Sequence, residues 1–161
     1  MGSLGLKRNP KFKQGYYKPI DPSKVIGNTP IIYRSGIELK FFRVLDTNPN
    51  VIKWMSEPFA IPYYDSVQRK QRRYYVDNYV EILEGKILKK YLIEIKDIKE
   101  TKKPNPKSKK KKTTLIYEQM RWCNNNDKWV SANKFCKDHN MEFLLIGHSN
   151  KNGFESISLN L

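Results

Sequence analysis

Three charged residues sit in strand-like sequence where charge is unusual. Asp77 lies within "YYVDNYV", and Glu94 and Lys96 lie within "YLIEIKD". Side chains alternate between faces along a strand, so Leu92, Glu94 and Lys96 share one face while Tyr91, Ile93 and Ile95 take the other. A carboxylate and an ammonium at that spacing are either an ordinary ion pair on a solvent face or a metal ligand beside a cation. Asp is depleted in strands. Asp77 is therefore either a charge that protects an edge strand from pairing with other chains, or a second ligand. A register argument brings the two acids together. If Gly85-Lys86 is a two-residue turn with Gly first, Glu84 pairs with Ile87 and Asp77 comes to lie opposite Glu94. Opposed residues have Cβ atoms roughly 4.5–5.5 Å apart. Two carboxylates at that range repel unless one is protonated or a cation lies between them. A hard divalent ion, Mg²⁺ or Mn²⁺, suits such oxygen ligands.

Glu38 admits two readings. Ser35-x-x-Glu38 is a capping box, in which the Ser hydroxyl and the Glu carboxylate each satisfy a backbone N–H. Helical spacing also aligns Glu38 with Phe42 and Leu45 near the inward face, where a carboxylate can join a metal site.

These residues need positioning elements. Residues 34–50 predict a helix with Ser35 as N-cap and "NPN" as its stop. Residues 51–65 predict a strand interrupted around Pro58 and Pro62. Residues 71–83 and 86–98 predict paired strands. Helical segments are expected at 113–126 and 127–140, the second with Trp129, Ala132, Phe135 and Cys136 inward. Residues 141–149 predict a buried strand. The order is helix, three strands, helices, strand. Residues 1–31 read as an extended arm over the core. Residues 99–113 read as a flexible basic loop with little to bury, since it carries Pro104 and Pro106 but no large apolar side chain.

The composition narrows the partners. At 161 residues the chain is expected to be a single domain with a real core. Its 31 Lys and Arg stand against 16 Asp and Glu, for a net charge of +15. Residues 99–112 hold eight Lys and one Glu, so about half of that charge lies in one stretch. A polyanion partner is expected, nucleic acid ahead of a membrane surface. A metal site among so many cations suits phosphate chemistry better than proteolysis. No apolar run approaches the ~20 residues needed to cross a bilayer, and the N-terminal stretch fits neither a signal peptide nor a myristoylation site. Cys123 and Cys136 lack metal-ligand spacing and are expected to be reduced thiols in an intracellular protein.

An Asp closing one strand, Glu-x-Lys in the next and a Glu on the preceding helix resemble the pattern of the PD-(D/E)xK nucleases. The stretches "IIYRSGIELKFFRVLDTNPNVIKWMSEPFAIPYY", "RRYYVDNYVEI" and "DKWVSANKFCKDHNMEFLLI" are similar to the head-completion proteins of T-even-like tailed phages. Those proteins are in turn similar to the endonuclease subunit of certain cut-and-paste transposases. The resemblance implies an α/β, restriction-endonuclease-like core, with a mixed sheet flanked by helices, and a Mg²⁺- or Mn²⁺-dependent DNA endonuclease. It matches Glu38 to the helical Glu, Asp77 to the motif Asp, and Glu94 and Lys96 to the Glu-x-Lys pair. Val76 replaces the motif proline, and Asn78 stands where an aromatic residue often follows.

On this resemblance Asp77, Glu94, the Ile95 carbonyl and Glu38 hold the metal, and Gln119 is an accessory group on the next helix. Arg72, Arg73, Lys102, Lys103, Lys107, Lys109, Lys110, Lys111 and Lys112 contact the phosphates of double-stranded DNA without reading sequence. Phage head or neck proteins are the implied partners. The implied places are the host cytoplasm during assembly and the virion head or neck. The alternative is a DNA-binding structural head or neck protein without catalysis.

Overall fold

A computed structural model describes residues 13–27 and 30–160. The first twelve residues of the expected arm thus lie outside the described part of the chain. The described residues fall into two compact units.

The first unit holds the described residues up to Ser56, together with Val80–Lys89. β1 (Gly15–Tyr17) pairs antiparallel with β2 (Ile31–Tyr33). Helix α1 (Gly36–Thr47) starts where the capping signal places it, with Ser35 Oγ accepting the Glu38 N–H at 3.1 Å. Its buried side includes Leu39, Phe42 and Leu45. Phe42 packs against Tyr17 and against Trp54 of β3 (Val51–Ser56), with ring centroids 5.6 and 5.3 Å away. Buried side chains of this kind each contribute roughly 1.5–3 kcal/mol.

Asp46 is 3% exposed and accepts from the Tyr17 hydroxyl at 2.7 Å and from the N–H groups of Ile20 and Asp21 at 2.6 and 3.1 Å. Three donors offset the desolvation of that carboxylate. Burial, and then Asp46, push the Tyr17 phenol above its ordinary pKa. The described part of the arm is thus tied to the end of α1.

β6 (Asn78–Glu84) and β7 (Ile87–Asp97) flank the two-residue turn Gly85-Lys86. Gly85 has φ 62°, the left-handed region that glycine enters without steric cost, as a Gly-first turn requires.

The second unit holds Glu57–Tyr79 and the described residues from Lys90 onward. β4 (Ala60–Asp65) and β5 (Lys70–Tyr75) form an antiparallel hairpin with Ile61 opposite Tyr74 and Tyr63 opposite Arg72. The interruption expected within 51–65 is the gap between β3 and β4. The single strand expected over 71–83 is instead two. β5 ends at Tyr75, Val76 and Asp77 form a bend, and β6 begins at Asn78. Two bonds hold that bend: the Glu57 N–H to the Asp77 carbonyl at 2.9 Å, and the Ile95 N–H to Asp77 Oδ2 at 2.7 Å.

The two helices expected over 113–140 are one continuous helix, α2 (Lys112–Asp138). Asn124, Asn125 and Asn126 look like a break because Asn competes for backbone hydrogen bonds. Asn125 and Trp129 are nevertheless buried on the same side of α2, and packing overrides the local preference. α2 is the crossover that parallel pairing demands, joining β7 to β8 (Glu142–Ser149) with Glu94 beside Leu145 and Lys96 beside Gly147. A further strand that the sequence does not announce, β9 (Gly153–Ile157), pairs antiparallel with β8. The larger sheet is therefore mixed, in the order β3-β6-β7-β8-β9.

Ile61, Tyr63, Tyr74, Val76, Leu92, Ala132 and Cys136 form the second unit's core. Val76, where the motif proline would stand, is fully buried there. Cys123 and Cys136 are both free, and burial pushes the Cys136 thiol up to about 11. No helix among the described residues is long and apolar enough to cross a membrane.

Candidate active site

β7 carries the first two groups. Its residues Tyr91–Ile95 are all buried, so both faces of the strand are covered. This bears on the solvent-face reading of Glu-x-Lys. Glu94 is 3% exposed, which excludes an ordinary ion pair on a solvent face. The Lys96 ammonium donates to Glu94 Oε1 at 2.7 Å, with the Lys96 side chain partly open to solvent. Burial by itself lowers the Lys96 pKa, but the charges of Glu94 and Asp77 and the bond to Glu94 outweigh it, and the net direction is upward. Lys96 is therefore a cation at neutral pH.

The second Glu94 oxygen, Oε2, is buried without a hydrogen-bond partner. Buried carboxylate oxygens almost always have a donor or a cation beside them. Asp77 stands at the bend before β6, and its Oδ2 accepts from the N–H of Ile95, the residue between Glu94 and Lys96. Asp77 and Glu94 both act electrostatically on Lys96 and on Tyr74. Asp77 is thus hydrogen-bonded to the strand that bears Glu94 and Lys96, at the residue between them.

Tyr74 also belongs to this locality. The Tyr74 hydroxyl is buried without a partner, and burial, then Glu94 and Asp77, push its pKa above the ordinary range. Both polar atoms of the Asn78 amide are buried without partners. A cation fits this donor set: an unpartnered carboxylate oxygen on Glu94, a neighbouring Asp77 carboxylate and hard oxygen chemistry throughout. Mg²⁺ is commonly held by one or two carboxylates with waters completing its shell. Among the described residues no group of three or more His, Cys, Asp and Glu side chains is assembled.

Glu38 belongs to the first unit. There its Oε2 accepts the N–H of Arg34 at 2.7 Å while its own N–H donates to Ser35 Oγ. The capping box is real, although the carboxylate reaches the residue before the N-cap.

Gln119 is not brought to the site residues. It donates to Cys123 Sγ at 3.6 Å and lines a hollow with Pro104, Asn105, Pro106, Leu115, Ile116 and Met120. At ~100° per residue it lies about 180° around α2 from Lys128. The face carrying Lys128 is the one that meets the hairpin. Asn124 donates to the Tyr63 hydroxyl at 3.2 Å, and the Lys128 ammonium lies 5.9 and 5.8 Å from the ring centroids of Tyr63 and Tyr74.

Burial holds Lys128 below the ordinary lysine range, and the positive charges of Lys96 and Arg72 act in the same direction. The sequence reading missed Lys128. Its signal was a charge four residues before Ala132, in line with the inward stripe of Ala132 and Cys136.

The expected phosphate-binding residues divide. Arg72 pairs with the buried Asp65 at 3.4 Å, while Arg73 is exposed on the opposite face of β5. Lys112 begins α2 and Lys110 pairs with Glu118 at 2.6 Å. Lys102, Lys103, Lys107, Lys109 and Lys111 lie in the connection before α2, all exposed. Pro104 and Pro106 line a shallow hollow with apolar residues of α2, while most of the residues before α2 stay exposed.

The TnsA-like endonuclease N terminal family model matches residues 48–148, a segment that contains Asp77, Glu94, Ile95 and Lys96 but not Glu38. The chain is also 35% identical over 136 residues to the head completion nuclease of Enterobacteria phage T4, spanning 82% of this chain and 89% of that protein. No solved structure is significantly similar to the chain. With the mixed sheet, its flanking helices and both matches in agreement, this chain belongs to the TnsA-like endonuclease N-terminal family and has its restriction-endonuclease-like fold.

Proposed function

We propose that the protein is a metal-dependent DNA endonuclease that acts in phage head completion, processing double-stranded DNA at the filled head before tail joining. One observation carries the chemistry: a buried Glu94 with Lys96 on one oxygen and no partner on the other, beside Asp77. Asp77, Glu94 and the Ile95 carbonyl would hold Mg²⁺ or Mn²⁺. In such a seat a divalent cation supplies charge opposite a phosphoryl oxygen and a bound water of lowered pKa.

The protein's own groups supply the rest. The Asp77 bond to the Ile95 N–H fixes the carboxylate against the strand that bears Glu94. The Lys96 ammonium would orient the attacking water and oppose the negative charge that builds on the phosphoryl group in the transition state. Its raised pKa favours that electrostatic role over proton abstraction. Glu38 is assigned a part through its charge, and the exposed lysines before α2 hold backbone phosphates. The likeness to a head completion nuclease supports the assembly role, with head or neck proteins as partners during assembly in the host cytoplasm.

The test uses purified protein with linear and supercoiled DNA, with Mg²⁺, Mn²⁺ or chelator. Cleavage that requires the metal supports the reading. Absence of cleavage on every DNA form overturns it in favour of a non-catalytic DNA-binding head protein.

A further inference from the structure

Lys96 has Glu94 and Arg72 has Asp65. Lys128 has only the faces of Tyr63 and Tyr74, and among the described residues no carboxylate lies within ion-pair distance of it. It is half-buried. Desolvated ammonium groups normally have an acid partner, because an uncompensated charge is costly away from water. Aromatic faces recover only part of that cost. The neighbouring charges of Lys96 and Arg72 add repulsion. Glu94 and Asp65 act against it, yet the balance still disfavours the charged lysine. An anion placed among these groups removes both penalties at once.

We propose that Lys128 is a second phosphate-binding cation of the same site, contacting the phosphodiester that Lys96 attends. The helix contributes this group because α2 presents Asn124 and Lys128 on one face to the β4–β5 hairpin. The two tyrosine rings hold the ammonium in place before DNA arrives, so less rotamer freedom is lost on binding. Lys96 reaches the phosphate from the strand and Lys128 from the helix, and their roles differ. Lys96 is engaged by a carboxylate, whereas Lys128 meets two aromatic faces and no carboxylate among the described residues. The proposal rests on the nuclease reading for its effect on rate, but not for its effect on DNA binding.

The experiment compares wild type, Lys128→Met and Lys128→Arg. It measures kcat/KM on a duplex oligonucleotide with Mg²⁺, and Kd across a salt series with chelator present. Lys128→Met is expected to lower kcat/KM about 100-fold, as loss of one transition-state donor does. It should also flatten the slope of log affinity against log salt by about 0.9, the value of one neutralised phosphate. Lys128→Arg keeps the charge and should recover most of both losses.

Wild-type cleavage and an unchanged salt slope in Lys128→Met would overturn the proposal, leaving Lys128 as a cover for two tyrosines. So would an Arg variant as impaired as Met, since shape and not charge would then matter. If wild type cuts no DNA, the nuclease reading fails and the salt slopes alone decide Lys128. Should Lys128→Met fail to fold by circular dichroism, Lys128→Gln replaces it in both measurements.

Discussion

Asp77 Oδ2 accepts the backbone N–H of Ile95 at 2.7 Å, which ties the bend before β6 to the residue between Glu94 and Lys96. Separating charge from hydrogen bonding at this position is therefore informative. Asp77→Asn retains an oxygen that can accept from Ile95, so folding should persist. Cleavage should fall by about 100-fold or more, beyond the 10–100-fold that loss of an outer-shell partner typically costs a metal site. Cleavage assays beside thermal melts check this. An Asn variant that cuts normally would make Asp77 a bend-holding residue only.

Glu94 and Lys96 make a buried pair whose halves are unequal, since Glu94 is the more enclosed. Lys96→Met should destabilise the metal-free protein by up to about 3 kcal/mol, because Glu94 keeps a buried charge without its cation. Adding Glu94→Gln should restore much of that stability while leaving cleavage abolished. Urea unfolding of the single and double variants measures the first effect, and a cleavage assay the second. A double variant no more stable than Lys96→Met would show that the pair's charges are not what couples these residues.

Glu38 combines two roles that one substitution can divide. Glu38→Gln preserves an acceptor for the Arg34 N–H and leaves the Ser35 cap untouched. Thermal stability should change by less than about 1 kcal/mol, the usual worth of a whole cap. Metal-dependent cleavage should drop sharply because the charge is lost. Unchanged cleavage would limit Glu38 to the helix terminus.

The lysines before α2 can be tested without disturbing the hollow that Pro104 and Pro106 line. Gln at Lys102, Lys103, Lys107, Lys109 and Lys111 should weaken DNA binding at low salt. The log–log salt slope should shrink by about 0.9 for each phosphate that no longer meets a lysine. Cleavage at saturating DNA should continue, because no proposed metal ligand lies in that stretch. Equal slopes would assign these lysines to a protein partner or to solvent. A failure to cleave saturated DNA would place part of the active site there.

What the sequence determined by itself is what neighbours along the chain decide. Ser35 and Glu38 start α1 because a hydroxyl and a carboxylate at that spacing satisfy adjacent backbone donors. Gly85 turns β6 into β7 because only glycine enters φ 62° without a Cβ penalty. The Glu94-x-Lys96 spacing put both charges on one face of a strand. What the tertiary structure decided depends on interactions between residues far apart. The bend at Val76-Asp77 has no Gly or Pro to announce it, and it is held by a hydrogen bond to Ile95, eighteen residues on. The asparagines of α2 favour a break locally, but burial of Asn125 and Trp129 keeps the helix continuous. Lys128 reads as one solvated lysine among many until α2 docks and sets its ammonium over Tyr63 and Tyr74. Burial and electrostatic surroundings are properties of packing, and only the folded chain supplies them.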